Sequence, residues 1–296
     1  MSQIGHYYQS GEQQTAADRF LEIGGNTIVY AYPNGDWDAL CAAERIFLPP
    51  GWEAAEDFSR QGRKGPPPAK REAGKKSEGA DMLRSMRRAR AKLRRLALSN
   101  EFDWFVTLTL DKDRIDRYDP KAIMQRMNRW LDNMVRRHGL RYVLVPERHQ
   151  DGAFHFHGFF AGHGLQAVDS GTISLPGQGK PRRPANEAQR AEWLAQGGHI
   201  VYNLPQWDLG FTTAIELYGT YSAAVGYVCK YIGKQEGERP MGRWYYSGGA
   251  LKEAPKQYAS TDYRGWLVDF PGEAVEFEIP GTKMVVVHHR NMEEKA

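Results

Sequence analysis

Cysteine is scarce: Cys41 and Cys229 are the only two. Two thiols far apart in sequence support neither a disulfide framework nor a four-cysteine zinc site. No apolar run approaches the roughly eighteen residues of a membrane-spanning helix, so such a helix is excluded. The opening MSQIGHYYQSGEQQ lacks a basic stretch followed by an apolar one, so no secretory signal is expected. Internal repeats are absent at any useful period. What is present suffices for a packed core: 41% apolar and 12% aromatic residues exclude a wholly disordered chain. A length of 296 residues is about that of two domains. The expectation is a soluble protein of a reducing compartment.

Acidic residues are nearly missing from one stretch. Between Arg60 and Asn100 there are 14 Lys/Arg against 3 Asp/Glu, whereas the remainder carries 26 against 33. The net +4 of the chain therefore hides a basic arm. Such an arm suits a polyanion, because each phosphate it neutralises releases condensed counterions. A solvated linker has the same composition, so charge alone does not decide between them.

Local patterns divide the chain further. Residues 1–59 are mixed, with a short strand expected over Asn26–Ala31 and a turn at Pro33-Asn34-Gly35. Residues 60–80, rich in Pro, Gly and Lys without apolar period, read as a flexible basic linker. Asp81 is placed to cap a helix running to about Asn100, with Met82, Met86, Ala89, Leu93, Leu96 and Ala97 on one face. Arg84, Arg87, Arg88, Arg94 and Arg95 on its other faces are candidate DNA contacts.

WFVTLTL (Trp104–Leu110) reads as a strand, and Asp119-Pro120 opens a helix that Gly139 ends. RYVLVPE (Arg141–Glu147) and AFHFHGFF (Ala153–Phe160) should form an antiparallel hairpin. Residues 161–206 resemble an insertion holding a helix near Asn186–Gln196 and a strand at His199–Asn203. FTTAIEL (Phe211–Leu217) is the fourth strand, before a helix from about Thr220 to Gln235. This order predicts an α+β fold, a ferredoxin-like or RRM-like split βαβ sandwich. Its antiparallel sheet would carry helices on one face and leave the other open. A catalytic domain over 81–255 would then be followed by a tail, 256–296, with further strand-like pieces.

Two constellations could carry chemistry. His155 and His157 stand at i and i+2 on a strand and leave the same face, while Phe154, Phe156 and Phe160 face the core. Two such imidazoles can hold one divalent metal, and a five-residue turn would fold Glu147 back beside them. A lone His-x-His more often merely hydrogen-bonds on a half-exposed sheet; the facing glutamate gives this pair its weight. His149 in the turn is close enough for a spare ligand, whereas His288 and His289 read as surface residues. In YVCKYIGK, Tyr227 and Tyr231 are one helical turn apart, and Lys230 and Lys234 repeat that spacing on the next stripe. Each Tyr-x-x-Lys unit sets a phenol beside a cation, which would favour phenolate and contact a phosphate. Tyrosines so spaced also serve as half-buried packing residues.

Together, FVTLTLD, the Glu-x7-His-Phe-His hairpin and YVCKYIGK resemble the three motifs of the HUH (His-hydrophobic-His) endonucleases. The similarity is greatest to rolling-circle replication initiators of phage and plasmid type that use two tyrosines. It runs from about Leu93 to Pro255. The resemblance implies Glu147, His155 and His157 as ligands of Mg²⁺ or Mn²⁺. It also implies Tyr227 and Tyr231 as nucleophiles, with Lys230 and Lys234 assisting at the phosphate. Thr107 and Thr109 would shape the floor of the site. The implied activity is nicking of single-stranded origin DNA through a 5′-phosphotyrosine bond, followed by rejoining. Implied partners are the origin strand and a host helicase and polymerase, in the cytoplasm of a bacterial cell and away from membranes.

A relaxase or transposase of the same superfamily would share the chemistry. Relaxases usually place the tyrosine ahead of the histidines, and such transposases are usually shorter. A non-catalytic single-strand-binding sheet is the remaining alternative, but binding needs no such set of residues.

Overall fold

The computed structural model describes residues 26–43, 78–217, 221–234, 239–259, 262–279 and 282–290. The chain begins with strands β1 (Thr27–Ala31) and β2 (Trp37–Ala42), helix α1 (Glu78–Leu98), β3 (Trp104–Leu110), α2 (Pro120–His138), β4 (Arg141–Arg148), β5 (Phe154–Ala161) and β6 (Val168–Ser174). It continues through α3 (Glu187–Ala195), β7 (His199–Asn203), β8 (Gly210–Glu216), α4 (Tyr221–Tyr231) and β9 (Tyr246–Gly248). Last come β10 (Lys256–Ala259), α5 (Tyr263–Asp269), β11 (Ala274–Ile279) and β12 (Thr282–His289). The class is α+β, with two antiparallel sheets and five α-helices among the described residues.

These residues form two compact units, one spanning 78–254 and the other joining 26–43 to 255–290. In the first, the sheet order is β6-β7-β8-β3-β5-β4-β9. Strand β5 pairs antiparallel with both β3 and β4, so those two run parallel on either side of it, and α2 is the crossover. Alternation along β3 sends Val106, Leu108 and Leu110 into the core and Phe105, Thr107 and Thr109 to the other face. Helix α2 packs Ile123, Met127, Trp130, Leu131 and Met134 into that core with Phe156 and Phe160. Its ends match their chemistry: the Asp119 carboxylate accepts from Lys121 N at 2.8 Å, and Gly139 adopts the left-handed conformation after Arg136, Arg137 and His138. The stretch 161–206 supplies β6 and β7, which extend the sheet beyond β8.

Three features differ from the sequence reading. Helix α1 starts at Glu78, so Asp81 is not its cap; it lies inside the first turn and pairs with Arg84 at 3.4 Å. Residues 60–77 of the expected linker, and 1–25 and 44–59 before it, lie outside the described residues. The second sheet face is not bare, because α4 lies against β4 and β5 on the side opposite α2. Helix α1 backs α4: the Tyr221 hydroxyl donates to Ala97 O at 2.7 Å and Asn100 O at 2.9 Å. Leu93 and Ala97 of α1 are buried, while Arg84, Arg87 and Arg88 are exposed.

The second unit is a five-stranded sheet in the order β10-β1-β2-β12-β11. Strands from both ends of the chain thus share one ladder, with β2 paired directly to β12. Val29, Ala39, Cys41, Val285 and Val287 form its buried core against Trp266, Leu267 and Phe270.

Candidate active site

The site is built on the β4–β5 hairpin. In β5 the period-two alternation buries Phe154, Phe156 and Phe160 on the α2 side and turns His155 and His157 to the other. Register sets Thr109 across from His155, and Thr107 across from His157, on β3. Each threonine hydroxyl meets the Nδ1 of its histidine, at 3.3 Å and 3.1 Å respectively. This fixes both rings with their Nε2 atoms turned to the other side, the arrangement that support residues give to metal-binding histidines. Gly158, next along β5, is required by packing, because a Cβ there would strike the Val143 carbonyl of β4.

Glu147 is paired across from His155, as the turn length predicts. Its carboxylate, however, reaches diagonally: Oε2 lies 2.7 Å from His157 Nε2, and Oε1 accepts from Lys234 Nζ at 2.9 Å. Burial pushes the Glu147 carboxyl up, but the bonds from His157 and Lys234 outweigh it and hold the group at about 2. Burial, and then the neighbouring His149 and His157, push His155 down, which favours its neutral, ligand-competent form. The His149 ring stacks on His155, centres 5.1 Å apart, and its Nδ1 lies 3.5 Å from Asp151. Glu147, Arg148, His149, Gln150, His155, His157 and Lys234 line a hollow of about 470 Å³.

Two imidazoles and a carboxylate suit a divalent cation by donor type. Among the described residues, though, no three His, Cys, Asp or Glu side chains form a ready-made metal cage. The direct Glu147–His157 bond is the reason visible in the geometry: with Thr107 donating to Nδ1, the ring's proton sits on Nε2 and points at the carboxylate. A cation would have to displace that proton and open the contact.

Helix α4 brings the tyrosines to this hairpin. The Tyr231 ring lies in a parallel stack on His157, centres 4.1 Å apart and planes 10° from parallel. The Tyr231 hydroxyl donates to the Tyr227 oxygen at 2.7 Å, and the two rings meet edge-on. Burial, the bond to Tyr227 and the Glu147 charge push the Tyr231 phenol far up, so it is protonated at neutral pH. Lys234 does not favour a phenolate as the spacing implies: its ammonium bonds Glu147 and lies 4.3 Å from the Tyr231 ring centre. The helix ends at Tyr231 rather than near Gln235, where Gly233 packs against the Arg90 side chain. Lys234 therefore reaches back to β4 from the following turn, while Lys230 stays exposed on α4 and shares no stripe with it.

Of the sequence candidates, Glu147, His155, His157, Tyr227, Tyr231 and Lys234 are brought together, with Thr107 and Thr109 beneath. Arg84, Arg87, Arg88, Arg94 and Arg95 stand apart on α1, the last two half-buried. Trp207 is a core residue, and Trp104 and Tyr142 pack against the same core. The pattern held no signal for Phe105, on which Tyr227 rests edge-on at 5.8 Å, or for Arg148 and Gln150 in the hollow. No helix among the described residues is long and apolar enough to cross a membrane. Comparison with curated proteins and with solved structures gives no match. Residues 103–236, which hold this whole site, do match the replication-associated protein family of the ORF2 type, and this is consistent with a rolling-circle replication initiator.

Proposed function

We propose that the protein initiates rolling-circle replication by nicking single-stranded origin DNA with a tyrosine. The products are a 5′-phosphotyrosine bond and a free 3′-OH, and the strand is later rejoined. One observation carries this reading: the stack of Tyr231 on His157, which sets a helical pair of phenols against a hairpin's carboxylate and imidazoles. A sheet that only gripped a strand would need no such convergence. Glu147, His155 and His157 would hold Mg²⁺ or Mn²⁺, whose Lewis acidity when bound stabilises charge on the transferring phosphate.

The chain's own groups do the rest. A tyrosine oxygen adds to phosphorus as the P–O3′ bond breaks, exchanging one phosphate ester for another, so no ATP is consumed. The freed 3′-OH is the primer a host polymerase extends, and it later attacks the phosphotyrosine to reseal. Thr107 and Thr109 hold both imidazoles in place, and Lys234 braces Glu147. The exposed arginines of α1 add phosphate contacts that weaken as salt rises.

The test mixes the full chain with random-sequence single-stranded oligonucleotides and Mn²⁺ and measures protein mass. A nucleotide-sized increment is expected, absent in EDTA and absent after Tyr227→Phe with Tyr231→Phe. An increment that survives the double substitution would refute the proposal.

A further inference from the structure

Tyr227 and Tyr231 stand one helical turn apart, yet their surroundings are unequal. Tyr231 is 7% exposed, its ring covered by His157 and approached by the Lys234 ammonium, and its hydroxyl is engaged by Tyr227. Tyr227 is 49% exposed. With Phe105, Ile215 and Ala224 it lines a second hollow, of about 300 Å³, that Tyr231 does not line.

In-line displacement requires phosphorus to come within about 3–3.5 Å of the attacking oxygen, with the leaving oxygen opposite. A phosphodiester can reach the Tyr227 oxygen from solvent. The Tyr231 oxygen is buried behind it and committed to a hydrogen bond. We infer that the tyrosines act in a fixed order: Tyr227 forms the first phosphotyrosine bond, while Tyr231 serves in that step as a positioning residue. This rests on the nicking reading above and deepens it.

In the first step the Tyr227 oxygen bonds to phosphorus and the P–O3′ bond breaks. The Tyr227 proton passes to solvent, and the departing O3′ takes up a proton from water. The bond donated by Tyr231 orients the Tyr227 ring and meets its oxygen with a hydrogen while negative charge develops there. Once that oxygen is part of a phosphodiester it is a weaker acceptor. The Tyr231 hydroxyl is then released to attack in the second transfer.

The experiment traps the first covalent product of the full chain on random single-stranded oligonucleotides with Mn²⁺, digests both polymers and maps the nucleotide-bearing peptide. The wild-type label is expected on Tyr227. Tyr231→Phe, which keeps the ring over His157 and removes only the hydroxyl, should still be labelled on Tyr227. It should react about 10-fold more slowly at saturating DNA, the size of one hydrogen bond lost to a developing charge, with an unchanged half-saturating DNA concentration. A wild-type label on Tyr231, or a Tyr231→Phe rate equal to wild type, overturns the order while leaving nicking intact. No label on either tyrosine of the wild-type chain removes the nicking reading, and this inference with it.

Discussion

Both sheets carry a pair of histidines near a carboxylate and an aromatic ring, and the two pairs differ in one respect. His155 and His157 are two apart on β5, so both rings leave one face and meet Glu147, Tyr231 and two threonines. His288 and His289 are adjacent on β12, so they leave opposite faces. His288 Nδ1 bonds Asp38 at 2.7 Å, while His289 bonds Glu273 at 2.9 Å and stacks on Trp37 at 4.8 Å. Neither is a mere surface residue, since Asp38 is buried and also accepts from the Tyr32 hydroxyl at 2.6 Å. An imidazole bonded to a carboxylate and stacked on a ring is thus a structural commonplace. Convergence of two imidazoles on one side, beside nucleophiles from another element, separates a candidate site from a packing motif.

The sharpest break of this comparison is at the tyrosines. Tyr227→Phe with Tyr231→Phe should reduce covalent DNA adduct to background by gel shift after denaturation. His288→Ala with His289→Ala should leave adduct yield unchanged. Next, His157→Ala should lower Mn²⁺-dependent cleavage of single-stranded oligonucleotides by at least about 100-fold, because it removes both a ligand and the seat of Tyr231. Cleavage at the wild-type rate would equate the two pairs.

Stability distinguishes the carboxylates. Asp38→Asn should cost about 1.5–3 kcal/mol in denaturant unfolding, since a buried acceptor loses charge-assisted bonds from Tyr32 and His288. For Glu147 the native carboxyl is depressed to about 2, so its stabilisation is present above the ordinary carboxylate range near pH 4.3 and is lost as pH falls toward 2. Glu147→Gln should flatten that acid slope by about 1–2 kcal/mol, allowing for solvent screening. The smallest effect is expected on α1. Replacing Arg84, Arg87 and Arg88 by alanine should reduce the salt dependence of single-strand binding by about 2 in log–log slope, without changing the cleavage rate at saturating DNA.

Much of this was legible along the chain because it rests on short-range rules. The bounds of β3, α2 and β7 follow from β-branched runs, an Asp-Pro start with a glycine stop, and alternation. The shared face of His155 and His157 follows from strand periodicity, and the return of Glu147 from a five-residue turn. Three things were not legible. The start of α1 depends on residues with no helical signal of their own. The pairing of β2 with β12 joins segments far apart in sequence, and no local pattern encodes a partner. The stripe of Lys230 and Lys234 fails because the helix stops at Tyr231, a stop set by packing of Gly233 on Arg90.

By itself, then, the order of residues determined which side chains share a strand face or a helical turn, since backbone geometry imposes periods of two and 3.6 on any sequence. Only the tertiary structure decided that α4 crosses the histidine face, that Tyr231 is buried and Tyr227 open, and that Lys234 serves Glu147 rather than a phenol. Those outcomes depend on which distant surfaces bury each other. Burial and its electrostatic consequences are properties of the assembled neighbourhood rather than of any one segment.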